Sequence, residues 1–324
     1  LRALAIAALS MFAAACGGGG GTGDDGDTGG DPSPADLCVQ SSCGTKTVLA
    51  SIPQAENIFF TDDGRLFVDG STNVFEITKS GDTFTATPLY AGTGNFGGMA
   101  QRGSVLYVTN FTDGSLYAAQ LTLQPQLQMI HALHMTSPNG MVAGPDGELY
   151  INNGPLSTSS LPDPRMVRLR FDPADPTLVT EQVDWITSGL SFPNGIARNG
   201  RSLYFTDATP LPPTLGMLSR VDINDDGSPG TIETLATFPS LPDDLSVVAD
   251  DLLVAYYSNG AIALYSQDGT LVSSTDPLSF QNPSQVKIGR PPMFSTTDIL
   301  VTEKGIVGDD VTPLGDVLSV FRKN

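Results

Sequence analysis

The chain has 324 residues, of which 35 are acidic and 16 basic, and its formal net charge of −19 argues against partners that present phosphates, such as nucleic acid or an anionic bilayer face. Hydrophobic residues make up 40% and charged ones 16%, with 35 Gly and 24 Pro, a balance that fits a turn-rich globular fold and excludes a helical bundle or a chain disordered throughout. Two His and three Cys exclude a tetrahedral zinc finger and leave oxygen ligands, and cations to bind them, as the available chemistry.

Residues 1 to 16 read LRALAIAALSMFAAAC, with Arg2, an apolar run from Ala3 to Ala15 and small residues before Cys16. That is a secretory signal in outline. The run is too short to cross a ~30 Å hydrocarbon core as a helix. Small residues ending at a Cys resemble the lipobox of bacterial lipoproteins, which implies acylation of Cys16 and an extracytoplasmic, membrane-anchored protein. Gly17 rather than Asp follows the Cys, which in lipoproteins of Gram-negative type favours the outer membrane.

Residues 17 to 36 contain nine Gly, five Asp and no hydrophobic residue except Ala35, a composition that cannot build a core. Such a tether has a root-mean-square reach of roughly 25 Å, enough to hold a domain clear of the headgroups. With Cys16 lipidated, Cys38 and Cys43 remain as a pair in an oxidising compartment, and the sequence predicts a small disulfide clasp between them. The expected organisation is therefore a signal over 1–16, a tether with its clasp over 17–46, and one domain over 47–324.

From residue 47 onward one pattern recurs six times: LFVDG at 66, LYVTN at 106, LYINN at 149, LYFTD at 203, LLVAY at 252 and ILVTE at 299. The intervals are 40, 43, 54, 49 and 47 residues, the length of a four-stranded propeller blade. Hairpin signals precede most copies: Asp63-Gly64, Asp146-Gly147, Asn199-Gly200, and a less typical Asp250-Asp251. Further alternating runs follow them, such as VFEI at 74, MVRLRF at 166 and VLSVF at 317, and read as the third strand of each blade. No segment sustains a helical period. The fold class expected is all-β, a single six-bladed β-propeller, monomeric.

Residues at one fixed phase in several repeats converge on a propeller's central channel. Counted back from the recurring strand, Glu56 lies 10 residues before Leu66 and Asn139 lies 10 before Leu149, while Asn194 and Asp243 lie 9 before Leu203 and Leu252. Two carboxylates and two carboxamides at one point make a hard-oxygen site suited to Ca²⁺ or another divalent cation. Ser137-Pro138-Asn139-Gly140 and Phe192-Pro193-Asn194-Gly195 also read, singly, as turns. The shared phase across four blades favours the metal.

AENIFFTDDGRLFVDG at 55, PNGMVAGPDGELYINN at 138, SFPNGIARNGRSLYFTDA at 191 and LPDDLSVVADDLLVAYY at 241 resemble the senescence-marker-protein/gluconolactonase family and its propeller relatives, the paraoxonases and diisopropylfluorophosphatase. The resemblance spans residues 47 to 321. It implies a catalytic divalent ion held by Glu56, Asn139, Asn194 and Asp243. It also matches Asp244, adjacent to Asp243, with a further residue that paraoxonases use, although theirs is an amide. Blade two reads NFGGMAQRGSVLYVTNF and has no His where paraoxonases carry their proton-transfer pair.

Other candidates rank lower. Asp222, Asn224, Asp226, Gly227 and Glu233 fit an EF-hand loop, but their flanks alternate as strands and Pro229 interrupts the loop, so an outer hairpin of blade four is expected. His131 and His134 lie between blades two and three with no Gly-x-Ser-x-Gly nearby. Trp185 reads as packing. The function expected is hydrolysis of a lactone, ester or related small molecule, with Asp243 or Asp244 activating water. The alternative is a non-enzymatic lipoprotein propeller whose structural Ca²⁺ braces the channel while its rim binds a protein or glycan.

Overall fold

The computed structural model describes residues 33, 36–154, 163–209, 214–306 and 314–324. Cys16 and the signal, with the tether up to residue 32, lie outside the described residues. Among those described there is no α-helix. The strands form six four-stranded antiparallel sheets. Their inner strands are Ile58–Phe60, Phe96–Arg102, Pro138–Ala143, Ile196–Asn199, Leu245–Val248 and Pro283–Ile288. Each inner strand packs against those of the blades before and after it, which closes a six-membered ring. The molecule is a six-bladed propeller, as the repeat length predicts.

All six recurring motifs fall on the second strand of their blade. These strands are buried on both faces because alternate side chains feed two different interfaces. In blade two, Leu106 and Val108 pack toward blade one, while Val105 and Tyr107 pack toward blade three. Six apolar clusters result among the described residues, one at each blade interface. Full burial of each large aliphatic side chain contributes about 1.5–3 kcal/mol, so the ring is held by side-chain packing between sheets that share few backbone bonds.

The hairpins that join inner to second strands follow the turn chemistry of the sequence. Gly64, Gly147 and Gly200 have φ of 84°, 82° and 58°. In blade five the positive φ falls on Ala249 (50°), one residue before the Asp250-Asp251 pair. The ring closes where Gly44–Ser51 pairs antiparallel with Val317–Lys323, joining both ends of the described chain in blade six. Cys38 and Cys43 are joined by a disulfide just before that strand. Leu37, Cys38 and Val39 are buried against Val248, Phe280 and Phe321, so this segment packs onto blades five and six.

The lower-ranked candidates take structural places. Gly216–Asp222 and Glu233–Phe238 pair as the outer hairpin of blade four, with Asp222 bound to Arg220 and Asp226 Oδ1 accepting from Ser228 N at 2.9 Å. His131 sits on the outermost strand of blade two (Gln128–Ala132), its Nε2 2.8 Å from Gln182 Oε1, and takes no part in the channel. Trp185 packs edge-on against Tyr150 at 4.7 Å and donates to the Gly227 carbonyl at 2.8 Å.

Candidate functional site

A cavity of about 290 Å³ opens where the inner strands begin. Glu56, Asn139, Asn194 and Asp243 all line it, delivered by four blades. Phe96, Phe111, Phe192 and Tyr257 form much of its apolar wall. Asp244 is not on the lining.

The Pro-Asn-Gly segments bring their asparagines inward by close packing. Neither Gly140 nor Gly195 has a positive φ. A Cβ on Gly140 would lie 2.5 Å from the Asn194 carbonyl oxygen, and one on Gly195 would lie 2.0 Å from Asp244 Oδ1. Both glycines exist because neighbouring blades touch there, which side chains would prevent.

The backbone beneath each candidate ligand is pinned from the blade next to it. The fourth residue of the recurring motif donates across the interface: Thr109 Oγ1 to the Asn139 carbonyl at 3.2 Å, Asn152 Nδ2 to the Asn194 carbonyl at 2.9 Å, and Thr302 Oγ1 to the Glu56 carbonyl at 2.6 Å. Thr206 Oγ1 donates likewise to the Asp243 carbonyl. Thr206 and Thr302 are relays, since each hydroxyl also accepts a backbone N–H, from Gly195 at 2.9 Å and Gln285 at 2.8 Å. All but the Thr109 bond, which is part-buried, are buried and therefore costly to lose.

Two of the candidate ligand side chains are linked directly. Asn194 Nδ2 donates to Asp243 Oδ1 at 2.7 Å, and Ser284 Oγ donates to Asp243 Oδ2 at 2.8 Å. Burial pushes the Asp243 carboxyl up to about 7, against the two donors, which favour its charged form. With its nitrogen committed, Asn194 Oδ1 is left buried with no hydrogen-bond partner. An orphaned amide oxygen on a cavity that two carboxylates also line is the kind of group a bound cation satisfies, and the donor set is all hard oxygen. The residues therefore fit a Ca²⁺-like ion. Among the described residues no three His, Cys, Asp or Glu side chains cluster, so an ion here depends on the amides.

Asp244 goes elsewhere. Its Oδ1 accepts from Leu245 N at 2.7 Å and its Oδ2 from Gln285 Nε2 at 2.8 Å, which ties blade five to blade six beneath the cavity. Lys304 is the residue that the sequence reading missed. It lines the cavity, and its Nζ contacts Glu56 Oε2 directly. Burial draws the ammonium down to about 8. Ser71, Phe111, Gly154, Tyr257 and Lys304 all lie five residues after the start of the recurring motif and all line the cavity, a second phase that a count forward would have found.

No family model matches the sequence, and no curated protein matches it. Solved structures do. A gluconolactonase from Xanthomonas campestris is similar with a TM-score of 0.65 at 16% identity, over 91% of this chain and 94% of its own. Regucalcin, a calcium-binding protein from Agrobacterium tumefaciens, has a TM-score of 0.65 at 16% identity, over 86% and 94%. A chain of the nidogen/laminin complex has a TM-score of 0.56 at 17% identity, over 74% and 85%. At these identities the likeness is one of fold.

Proposed function

We propose that this protein is a divalent-metal-dependent hydrolase of a lactone, ester or related small molecule, monomeric and lipid-anchored through Cys16 outside the cytoplasm, on a bacterial outer membrane. The observation that carries the reading is the unpartnered Asn194 Oδ1 on a cavity shared with Glu56, Asn139 and Asp243. The fold shared with a gluconolactonase and a calcium-binding protein supports the same choice of substrate class and ion.

Glu56, Asn139, Asn194 and Asp243 would hold the ion, which when bound supplies Lewis-acid polarisation of the substrate's carbonyl or phosphoryl oxygen. The rest of the work falls to the chain. Phe96, Phe111, Phe192 and Tyr257 seat the apolar part of a small substrate and exclude water from that side. Asp243 lines the cavity beside Glu56 and Asn194, where its carboxylate is placed to take a proton from water. Asn194 and Ser284 fix its plane by donating to its two oxygens.

Turnover of an aldonolactone, an aryl ester and a phosphotriester is the test, measured on calcium-loaded protein and again after chelation. Metal-dependent hydrolysis of any one supports the reading. A second reading, the non-enzymatic propeller that binds a protein or glycan, is favoured by Lys304, which already balances the Glu56 charge. Loaded protein that hydrolyses none of the three substrates would favour it.

A further inference from the structure

We propose that the Lys304 ammonium is a tethered counter-ion that competes with a divalent ion for the Glu56 carboxylate, so that the chain's own cation sets how tightly the centre holds metal. The inference rests on the metal reading above and goes beyond it. Among the described residues lining the cavity, Lys304 is the one cation. Its Nζ contacts Glu56 Oε2, with the two side chains 18% and 6% exposed. It is not a surface side chain that has swung inward. Lys304 directly follows the second strand of blade six (Ile299–Glu303), and its backbone N–H donates to the Asn282 carbonyl at 3.1 Å.

The consequence is electrostatic. A carboxylate oxygen already touched by an ammonium accepts a dication only if the ammonium moves aside or the two cations are held against each other. That repulsion grows as water is excluded. The other candidate ligands offer no such conflict. Asn139 and Asn194 are neutral, and Asp243 is held by Asn194 and Ser284, both neutral donors. Glu56 is therefore the ligand at which metal and ammonium meet.

Calcium titrations of the wild type, Lys304→Met and Lys304→Arg, followed by calorimetry, read the competition without reference to activity. Lys304→Met is expected to bind calcium at least about tenfold tighter than the wild type, because the like charge is gone. Lys304→Arg keeps the charge and is expected to bind no tighter. Melting temperatures in chelator and in calcium give a second readout, in which calcium raises that of Lys304→Met by more than that of the wild type. Lys304→Gln is carried beside Lys304→Met in case the methionine variant does not fold, and Lys304→Met that folds only with calcium also supports the competition. Equal calcium affinity in the wild type and the neutral variants overturns the competition and leaves the metal reading standing. No calcium binding by any of the variants overturns the metal reading, and the competition with it.

Discussion

Asn194 of blade four donates its amide nitrogen to Asp243 Oδ1 of blade five at 2.7 Å, across 49 residues of sequence. The bond decides which way the amide faces, and so leaves Asn194 Oδ1 buried and unpartnered on the cavity. Asn194→Ala removes both the donor to a buried carboxyl and the unpaired oxygen. In chelator it is expected to lose about 1–3 kcal/mol of stability, the usual cost of stranding a buried polar partner. The rise in melting temperature on adding calcium should shrink as well. Thermal melts of both proteins in both buffers check the two effects together.

Thr206 and Thr302 make the same relay in different blades, each accepting one backbone N–H and donating to a carbonyl of the next blade, that of Asp243 and of Glu56 respectively. Valine keeps the shape and removes the hydroxyl. Thr206→Val and Thr302→Val are each expected to cost about 2 kcal/mol, by similar amounts because the lost bonds are equivalent. Ser202→Ala, which loses an exposed bond to Asp222, should cost far less. Denaturant unfolding of the three variants makes the comparison.

Asp207 gives a pH signature away from the candidate ligands. It accepts from the backbone N–H groups of Ser191, Phe192 and Ala208, yet burial outweighs these bonds and raises its carboxyl above the ordinary 3.8. The folded chain then holds a proton that the unfolded chain has lost. Its contribution to stability is fully present below pH 3.8 and is lost as the pH rises through the elevated value. Asp207→Asn cannot ionise, so its melting temperature should fall less than that of the wild type over the same rise. Melts in chelator across that pH range check the sign.

The Cys38–Cys43 disulfide closes a short loop, so its chain-entropy effect falls below the typical 2–4 kcal/mol. Leu37, Cys38 and Val39 also pack on blades five and six. The double variant Cys38→Ser, Cys43→Ser is expected to stay folded, closed by the strand Gly44–Ser51, with a stability loss below about 2 kcal/mol in urea unfolding.

The fold was legible because one strand type repeats. Leu106 and Val108 face one blade while Val105 and Tyr107 face the other, so the second strand of every blade must be apolar on both sides and stands out of the sequence. The convergence of Glu56, Asn139, Asn194 and Asp243 on one cavity was legible because they lie 9 or 10 residues before that strand. Lys304 was not, because its phase lies after the strand and carries Ser71, Phe111, Gly154 and Tyr257 in other blades, residue types with nothing in common. Asp244 could have been separated from Asp243 by strand alternation, since neighbours along an extended chain face opposite sides. One carboxylate reaches the cavity and the other reaches Gln285.

The central claim is that a cation centre containing Asp243 performs hydrolysis in the channel, and the most direct test is turnover by Asp243→Asn and Asp244→Asn, each shown to be folded and calcium-loaded. Asp243 lines the cavity and Asp244 braces Gln285. Asp243→Asn is therefore expected to lower turnover by roughly 10² or more, the scale of losing a general base, while Asp244→Asn mainly lowers the melting temperature. Equal turnover in Asp243→Asn and the wild type would contradict the account.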